Sequence, residues 1–97
     1  MHPWIREEWE FTLTVLHGEA HSCRIGLEAG DAFTFQYALP AGLCPKTVLQ
    51  LHTLCEIVRC GGDFTHRGSP DPYSIEFPCA DGVLTFQLTA RRLPSCP

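Results

Sequence analysis

The chain has 97 residues and a formal net charge of -4, with 44% hydrophobic and 19% charged residues. A folded chain of this length buries roughly two-thirds of its extended surface, which is enough for one small core. The composition argues against intrinsic disorder, and the length leaves no room for a second ordinary domain. We therefore predict a single domain over residues 1–97.

The charge and hydropathy patterns also restrict the partners. The pI is near 5.6 and the basic residues form no cluster, so we expect no nucleic-acid partner. No apolar run approaches the roughly 20 residues of a membrane-spanning helix, so we expect no membrane partner. Residues 1–10 include Arg6, Glu7 and Glu8 where a secretory signal needs an apolar stretch, which favours a cytoplasmic protein.

The first predicted strand runs over residues 8–16. Its apolar side chains alternate with polar ones and are Trp9, Phe11, Leu13 and Val15. This period of two, with aromatic and β-branched residues, is typical of a half-buried strand. A second extended piece is predicted over residues 22–25. After a turn at Gly30, a short strand follows that has Phe33 and Phe35 on the same side.

From Lys46 to Arg59 the hydrophobic pattern changes to that of an amphipathic helix. Apolar side chains recur three and four residues apart, at Val48, Leu51, Leu54, Cys55 and Val58. Pro45 suits the first helical turn, because its missing N–H would be unpaired there, and Gly61 suits the helix end. We predict a helix over about residues 45–60.

The region after this helix is predicted to contain an exposed loop and a hairpin. Residues 63–72 are polar and contain glycine and proline, which predicts the loop. Strands over 73–77 and 83–89 flank Asp81-Gly82, a strong signal for a hairpin turn.

These elements together predict an α+β fold. The expected architecture is a small antiparallel sheet, partly barrel-like, with the one amphipathic helix packed on it. Residues 93–97 are expected to form a loosely ordered tail.

Six cysteines in so short a chain are the most informative feature for function: Cys23, Cys44, Cys55, Cys60, Cys79 and Cys96. In a reducing cytoplasm structural disulfides are rare, so each thiol is a buried hydrophobe, a metal ligand or a reactive group. Core packing explains Cys55, because it lies in the apolar stripe of the helix. Cys60 lies beside the terminal glycines, where partial burial explains it.

Cys44 is the best single candidate for a reactive or metal-binding thiol. A thiol at a helix N-terminus faces unpaired N–H groups and the positive end of the helix dipole, which favour the thiolate. Cys79 comes just before the hairpin turn, where flanking strands would hold its side chain firmly. For Asp81 in the same turn, turn formation is favoured over acid catalysis.

A second group of candidate ligands follows the first strand. His21 and Cys23 share a face if the segment is extended, and His17 is close enough in sequence to join them. Imidazole nitrogen and thiolate sulfur are the donors that zinc prefers. Exposed histidines in a polar turn are the alternative, and for His17 and His21 we favour that interpretation.

Three cysteine motifs occur in one order along the chain: Cys23-x-x-Gly26-x-x-x-Gly30-Asp31-x-Phe33, then Pro40-x-Gly42-x-Cys44-Pro45 before a helix closed by Gly61-Gly62, then Cys79-x-Asp81-Gly82. Together they resemble an uncharacterised family of short prokaryotic domains, found singly or as tandem repeats. The resemblance extends over nearly the whole chain, and Ala80 replaces the proline expected there. The family has no established activity, so the resemblance implies a role for Cys23, Cys44 and Cys79 and leaves the function open.

Three hypotheses follow for the function. The first is a cytoplasmic module in which Cys23, Cys44 and Cys79 hold zinc or copper(I), with His21 or His17 completing four-coordination. The second is a structural or interaction domain with buried thiols, acting as a homodimer or as a partner of a larger enzyme. The third is a thiol-dependent enzyme or redox protein, although no catalytic motif is recognisable. A small organic ligand between helix and sheet is a further alternative without a specific marker.

Overall fold

The computed structural model describes residues 8–18, 23 and 25–93. The elements in chain order are β1 (Trp9–Gly18), β2 (Ala32–Phe35), α1 (Pro45–Arg59), a 3₁₀ helix (Phe64–Arg67), β3 (Ser74–Pro78) and β4 (Leu84–Arg92). The strands form one antiparallel sheet in the order β2-β1-β4-β3. The α+β class predicted from the sequence is therefore confirmed.

The sheet is open among the described residues, so the predicted barrel-like character is wrong. β2 and β3 lie at opposite edges because the central pair, β1 and β4, separates them. Closing a barrel needs more strands with a consistent tilt and stagger. The centre is formed by the long β1–β4 pairing, from Trp9↔Arg92 to Gly18↔Leu84, with a register shift between Val15 and His17.

One face of the sheet and one side of α1 enclose the core. On the sheet side the fully buried residues include Phe11, Leu13, Val15, Phe86 and Leu88. On the helix side the buried apolar residues are Leu51, Leu54, Cys55 and Val58. The opposite face of the sheet has polar, partly exposed side chains such as Thr12 and Gln87, so the alternation predicted for the first and last strands is confirmed.

The helix begins and ends where its sequence signals place it. Cys44 is the N-cap residue and Pro45 takes the first helical position. At the other end Cys60 is the C-cap and Gly61 has a φ of 89°, the left-handed conformation that glycine adopts without a steric penalty. None of the described helices is long and apolar enough to cross a membrane.

Residues 63–72 are not simply an exposed loop, as the sequence pattern predicted. They contain the 3₁₀ helix, whose Phe64 is 0% exposed and belongs to the core. The carboxylate of Asp63 caps this helix by accepting the backbone N–H of Thr65 at 2.9 Å, and it also accepts the Thr65 hydroxyl. These two hydrogen bonds lower the pKa of Asp63 below its ordinary value of 3.8.

Two further strand predictions need correction. β4 continues to Arg92, beyond the predicted end at residue 89, because it pairs with the start of β1. The guanidinium of Arg91 contacts the Glu10 carboxylate at 2.8 Å on this extension. The predicted extended piece at 22–25 is wrong where it is described, because Cys23 lies in a bend and Ile25 in a turn. Residues 22 and 24 and the predicted tail beyond Leu93 lie outside the described residues.

Candidate functional site

Three of the predicted site residues line one cavity beside the N-terminus of α1, which we call the cysteine cavity. Cys23 belongs to the segment after β1, Cys44 is the N-cap of α1 and Cys79 follows β3. All three thiols are half-buried. The space inside is about 20 Å³, the room that one water molecule needs. Tertiary structure thus brings together thiols from three separate elements.

The rest of the cysteine cavity is mainly hydrocarbon. Its apolar lining residues are Ile25, Leu27, Ala80, Val83, Leu84 and Phe86. Thr47, which is 2% exposed, and the ion-paired Lys46 and Asp81 complete the lining. Electrostatic interactions are stronger where apolar side chains replace water, so a charged sulfur in this cavity interacts strongly with nearby dipoles.

Backbone amides surround the sulfur of Cys79. Its Sγ accepts the N–H of Val83 at 3.3 Å and that of Leu84 at 3.4 Å. The turn itself is closed by two backbone bonds, from Cys79 N–H to Leu84 O and from Gly82 N–H to Cys79 O, each 2.9 Å long. The hairpin turn therefore fixes the position of this sulfur and aims donors at it.

These donors favour the thiolate form of Cys79. Burial is the largest single influence and raises the pKa of the thiol, but the backbone N–H groups of Leu84, Val83, Asp81 and Gly82 lower it by more in total. The pKa of Cys79 therefore lies below its ordinary value of 9.0. The thiolate is the form of cysteine that binds metals and attacks electrophiles.

Cys44 holds the position that the sequence predicts for it. As N-cap it has an extended backbone conformation, with φ -58° and ψ 136°, and its carbonyl accepts the N–H of Val48 at 3.0 Å. Its side chain makes no capping hydrogen bond. The thiol lines the cavity instead of capping the first turn.

The other described cysteines have simpler environments. Cys55 is 0% exposed inside the core, so its interpretation as a packing residue is confirmed. Cys60 is exposed at the C-cap of α1. Neither lines the cysteine cavity.

Of the two predicted histidine ligands, His17 is the one that lies within the described residues. His17 is exposed near the end of β1 and is not among the lining residues. His21 and Cys96 lie outside the described residues, so the role of His21 as a ligand stays a prediction. Over residues 8–18, 23 and 25–93, no three His, Cys, Asp or Glu side chains lie close enough together to hold one metal ion.

The sequence pattern does not predict the amide donors around Cys79. The signal was present, because a cysteine just before Asp81-Gly82 faces the N–H groups that a tight turn leaves pointing inward. The motif was interpreted only as a hairpin turn that holds the thiol firmly near the surface.

A larger groove lies between α1 and β3, with a volume of about 440 Å³. Leu49, which is 71% exposed, stands on its helix side, and Ile75 and Phe77 line its strand side. Gln50 donates from Nε2 to the Pro78 carbonyl at 3.0 Å, while its buried Oε1 has no hydrogen-bond partner within the described part of the chain. This groove is not predicted from the sequence pattern.

Comparison with known proteins does not assign this chain to a family. The chain matches no protein-family model, and no curated protein or solved structure is significantly similar to it. The resemblance to short prokaryotic domains therefore stays a prediction.

Proposed function

We propose that this protein is a small cytoplasmic domain that binds a soft metal ion, zinc or copper(I), through the thiolates of Cys23, Cys44 and Cys79. The observation behind the proposal is that all three thiols line one cavity of about 20 Å³. Pockets for organic ligands usually start at about 300 Å³, whereas this space suits a single ion. Thiolate sulfur is the donor that soft metals select.

Cys79 acts as the first ligand in this proposal. A cysteine must lose its proton to bind a metal, and the amides of Val83 and Leu84 favour that loss before any ion arrives. Hydrogen bonds from backbone N–H groups to a ligating sulfur also orient the ligand and spread its negative charge.

Metal binding completes the site by drawing the other two thiols toward Cys79. Cys23 lies in a bend of the segment between β1 and β2, where a change of backbone conformation disturbs no strand pairing. No capping hydrogen bond restrains the thiol of Cys44. For a tetrahedral zinc ion we retain His21 as the fourth ligand.

Metal analysis under reducing conditions tests the proposal. The protein is produced without a metal-affinity tag and analysed by mass spectrometry for metal content, and its thiols are titrated with and without a chelator. We expect about one zinc or copper ion per chain, which protects Cys23, Cys44 and Cys79 from the thiol reagent. Cys60 is the internal control, because this exposed thiol should react equally with and without the chelator. The variant Cys60→Ser should keep the metal. Absence of stoichiometric metal, together with thiol reactivity that the chelator leaves unchanged, would contradict the proposal.

An interaction module is the second candidate, and the groove between α1 and β3 favours it. Its exposed Leu49 presents an apolar contact to a partner or to a second copy of the chain. If the groove is a homodimer interface, Leu49→Glu should convert dimers to monomers in light scattering. His52→Glu adds the same charge to an exposed position of the helix outside the groove and should leave the mass unchanged. A monomeric wild-type protein at all concentrations would reject this homodimer.

Thiol-dependent catalysis and redox chemistry remain the third hypothesis. Both would use the Cys79 thiolate, and a redox role would join it to Cys23 or Cys44 in a reversible disulfide. A mobility shift in non-reducing electrophoresis that Cys79→Ser abolishes would favour this hypothesis over metal binding.

A further inference from the structure

β2 pairs with β1 on one side and has an open edge on the other. The backbone N–H of Val15 donates to the carbonyl of Asp31 at 2.8 Å, which fixes the alternation along β2. Hydrogen-bonded pairs recur at every second residue of an antiparallel ladder, so Phe33 bonds to β1, whereas Ala32 and Thr34 direct their N–H and C=O groups away from it. Both residues are exposed, and within residues 8–18, 23 and 25–93 no hydrogen bond reaches these outward groups. The edge of β2 therefore presents free backbone donors and acceptors.

The opposite edge of the sheet, at β3, is protected. The same alternation directs the backbone groups of Ser74, Glu76 and Pro78 away from β4. The hydroxyl of Ser69 already donates to the Ser74 carbonyl. Nε2 of Gln50 donates to the carbonyl of Pro78, which has no N–H of its own. Proline and charged side chains such as Glu76 are the devices by which natural edge strands resist pairing, and β2, whose sequence is AFTF, has neither.

Two copies of β2 fit each other in an antiparallel pairing centred on Phe33. Ala32 of one copy then lies opposite Thr34 of the second copy, and the exchange of N–H and C=O groups uses every free group of the edge in four hydrogen bonds. A pairing centred on Thr34 would need the Gln36 carbonyl, which already accepts Nη2 of Arg59 at 2.7 Å. The free groups therefore favour the register centred on Phe33.

The side chains of β2 suit this register. Phe33 is partly buried, packs against the core and would lie opposite its own copy, and an aromatic pair at such a position stabilises a sheet. Ala32 and Thr34 are uncharged, so no like charges oppose each other. At the β3 edge a two-fold pairing centred on Glu76 would instead place two carboxylates face to face, which is unfavourable.

We infer that the edge of β2 is a self-association surface whose occupant is a second copy of this chain, paired antiparallel about Phe33. The pairing joins the two four-stranded sheets into one continuous sheet. The surface lies apart from the groove between α1 and β3, and the inference does not depend on the proposed metal site.

Sedimentation velocity of the full chain under reducing conditions tests the inference. We expect a monomer–dimer equilibrium over concentrations up to about 1 mM, because so small an interface is weak. Thr34→Pro should lower the association constant by at least about 10-fold, because it removes an outward donor from each copy and leaves the β1–β2 bonds in place. Glu76→Pro is the matched control, since it removes the corresponding outward donor of β3 and should leave association unchanged. Circular dichroism shows whether each variant is folded.

A pair of double variants tests the register without using proline. Ala32→Lys with Thr34→Lys puts lysines opposite each other in the paired state, and Ala32→Glu with Thr34→Glu does the same with carboxylates. Each protein alone should therefore be monomeric. Mixed in equal amounts, the two should form a heterodimer, because each lysine then lies opposite a glutamate. Both positions are exposed in the single chain, so folding should tolerate the charges.

Amide hydrogen exchange of the wild-type protein gives a readout that needs no variant. The N–H groups of Ala32 and Thr34 should exchange more slowly as the concentration rises, whereas that of Glu76 should not change. A protein that stays monomeric at about 1 mM, or a dimer that persists in Thr34→Pro and in both double variants, would overturn the inference. A dimer that Leu49→Glu dissociates and Thr34→Pro does not would also overturn it, and would assign self-association to the groove between α1 and β3.

Discussion

The ammonium nitrogen of Lys46 lies 2.5 Å from Oδ1 of Asp81, and this ion pair joins the first turn of α1 to the turn between β3 and β4. The two side chains are 49% and 29% exposed. Ion pairs this accessible to solvent add little to the free energy of unfolding. The contact links the segments that contain Cys44 and Cys79, and we expect its main effect to be on the placement of their thiols.

Replacing Lys46 should therefore affect binding more than stability. We expect Lys46→Met to lower the free energy of unfolding by less than about 1 kcal/mol and to weaken soft-metal uptake by about 10-fold. Urea unfolding and competition with a chelator measure the two effects, and Lys46→Arg, which keeps the charge, is the control. Uptake that survives Lys46→Met unchanged would show that the ion pair has no part in placing the thiols.

The thiol of Cys79 should ionise at a lower pH in the folded chain than in the unfolded one. Burial raises its pKa, and the backbone amides of Leu84, Val83, Asp81 and Gly82 together lower it by more, so that it lies below 9.0. We expect iodoacetamide to alkylate Cys79 down to a lower pH in the metal-free folded protein than in urea, where the chain is unfolded. Peptide mass spectrometry measures both pH profiles on one residue.

Because the pKa of Cys79 is lower in the folded chain, the free energy of unfolding should depend on pH. The thiolate contributes stability above the pKa of the unfolded chain, and this contribution is lost as the pH falls through the lower pKa of the folded chain. In Cys79→Ala the corresponding pH dependence should disappear from urea unfolding curves near and below pH 9.0. A folded-state alkylation profile that coincides with the unfolded one would contradict the role assigned to the amides.

Phe64 should be essential for stability although it lies in a polar stretch. Its ring is 0% exposed in the core, so we expect Phe64→Ala to lower the free energy of unfolding by about 3–5 kcal/mol. Arg67→Ala, at an exposed position of the same 3₁₀ helix, should change it by no more than about 0.5 kcal/mol. Chemical denaturation compares the two, and equal small effects would place Phe64 outside the core.

Gly18 allows β1 to approach the β3–β4 turn closely. A Cβ atom there would lie 2.3 Å from the Val83 carbonyl oxygen, and the residue has a φ of 145°. We expect Gly18→Ala to destabilise the fold by about 2 kcal/mol or more. Gly26→Ala separates the steric clash from backbone strain, because Gly26 also has a positive φ of 72° but no atom within 4 Å of the added methyl. Similar losses in thermal unfolding for both variants would argue against the clash.

The sequence predicts those elements whose burial is periodic. The alternation from Trp9 to Val15 identifies β1, and the three- and four-residue spacing from Leu51 to Val58 identifies α1. Asp81-Gly82 identifies the hairpin. In each case neighbouring residues decide which side chains face the core, so a short window of sequence contains the information.

The parts that the sequence does not predict depend on contacts between distant residues. Phe64 stands alone among polar residues, and only the packing of the 3₁₀ helix against the core explains its burial. Its one local signal is Asp63 two residues before Thr65, a capping pattern that marks a helical turn. The amide donors at Cys79 depend on how β3 pairs with β4. The turn motif implies that pairing, but it does not specify where each N–H points.

The pairing of β1 with β4 also governs when this domain is able to fold during synthesis. β1 precedes β4 in the chain, so the short β2 is the strand neighbour that β1 has until translation of the domain is nearly complete. Contacts of such high sequence separation slow folding, because a long loop must close before they form. The nascent chain therefore leaves one edge of β1 without its long strand partner for most of the synthesis of the domain, and an unpaired strand edge is a template for pairing with another chain.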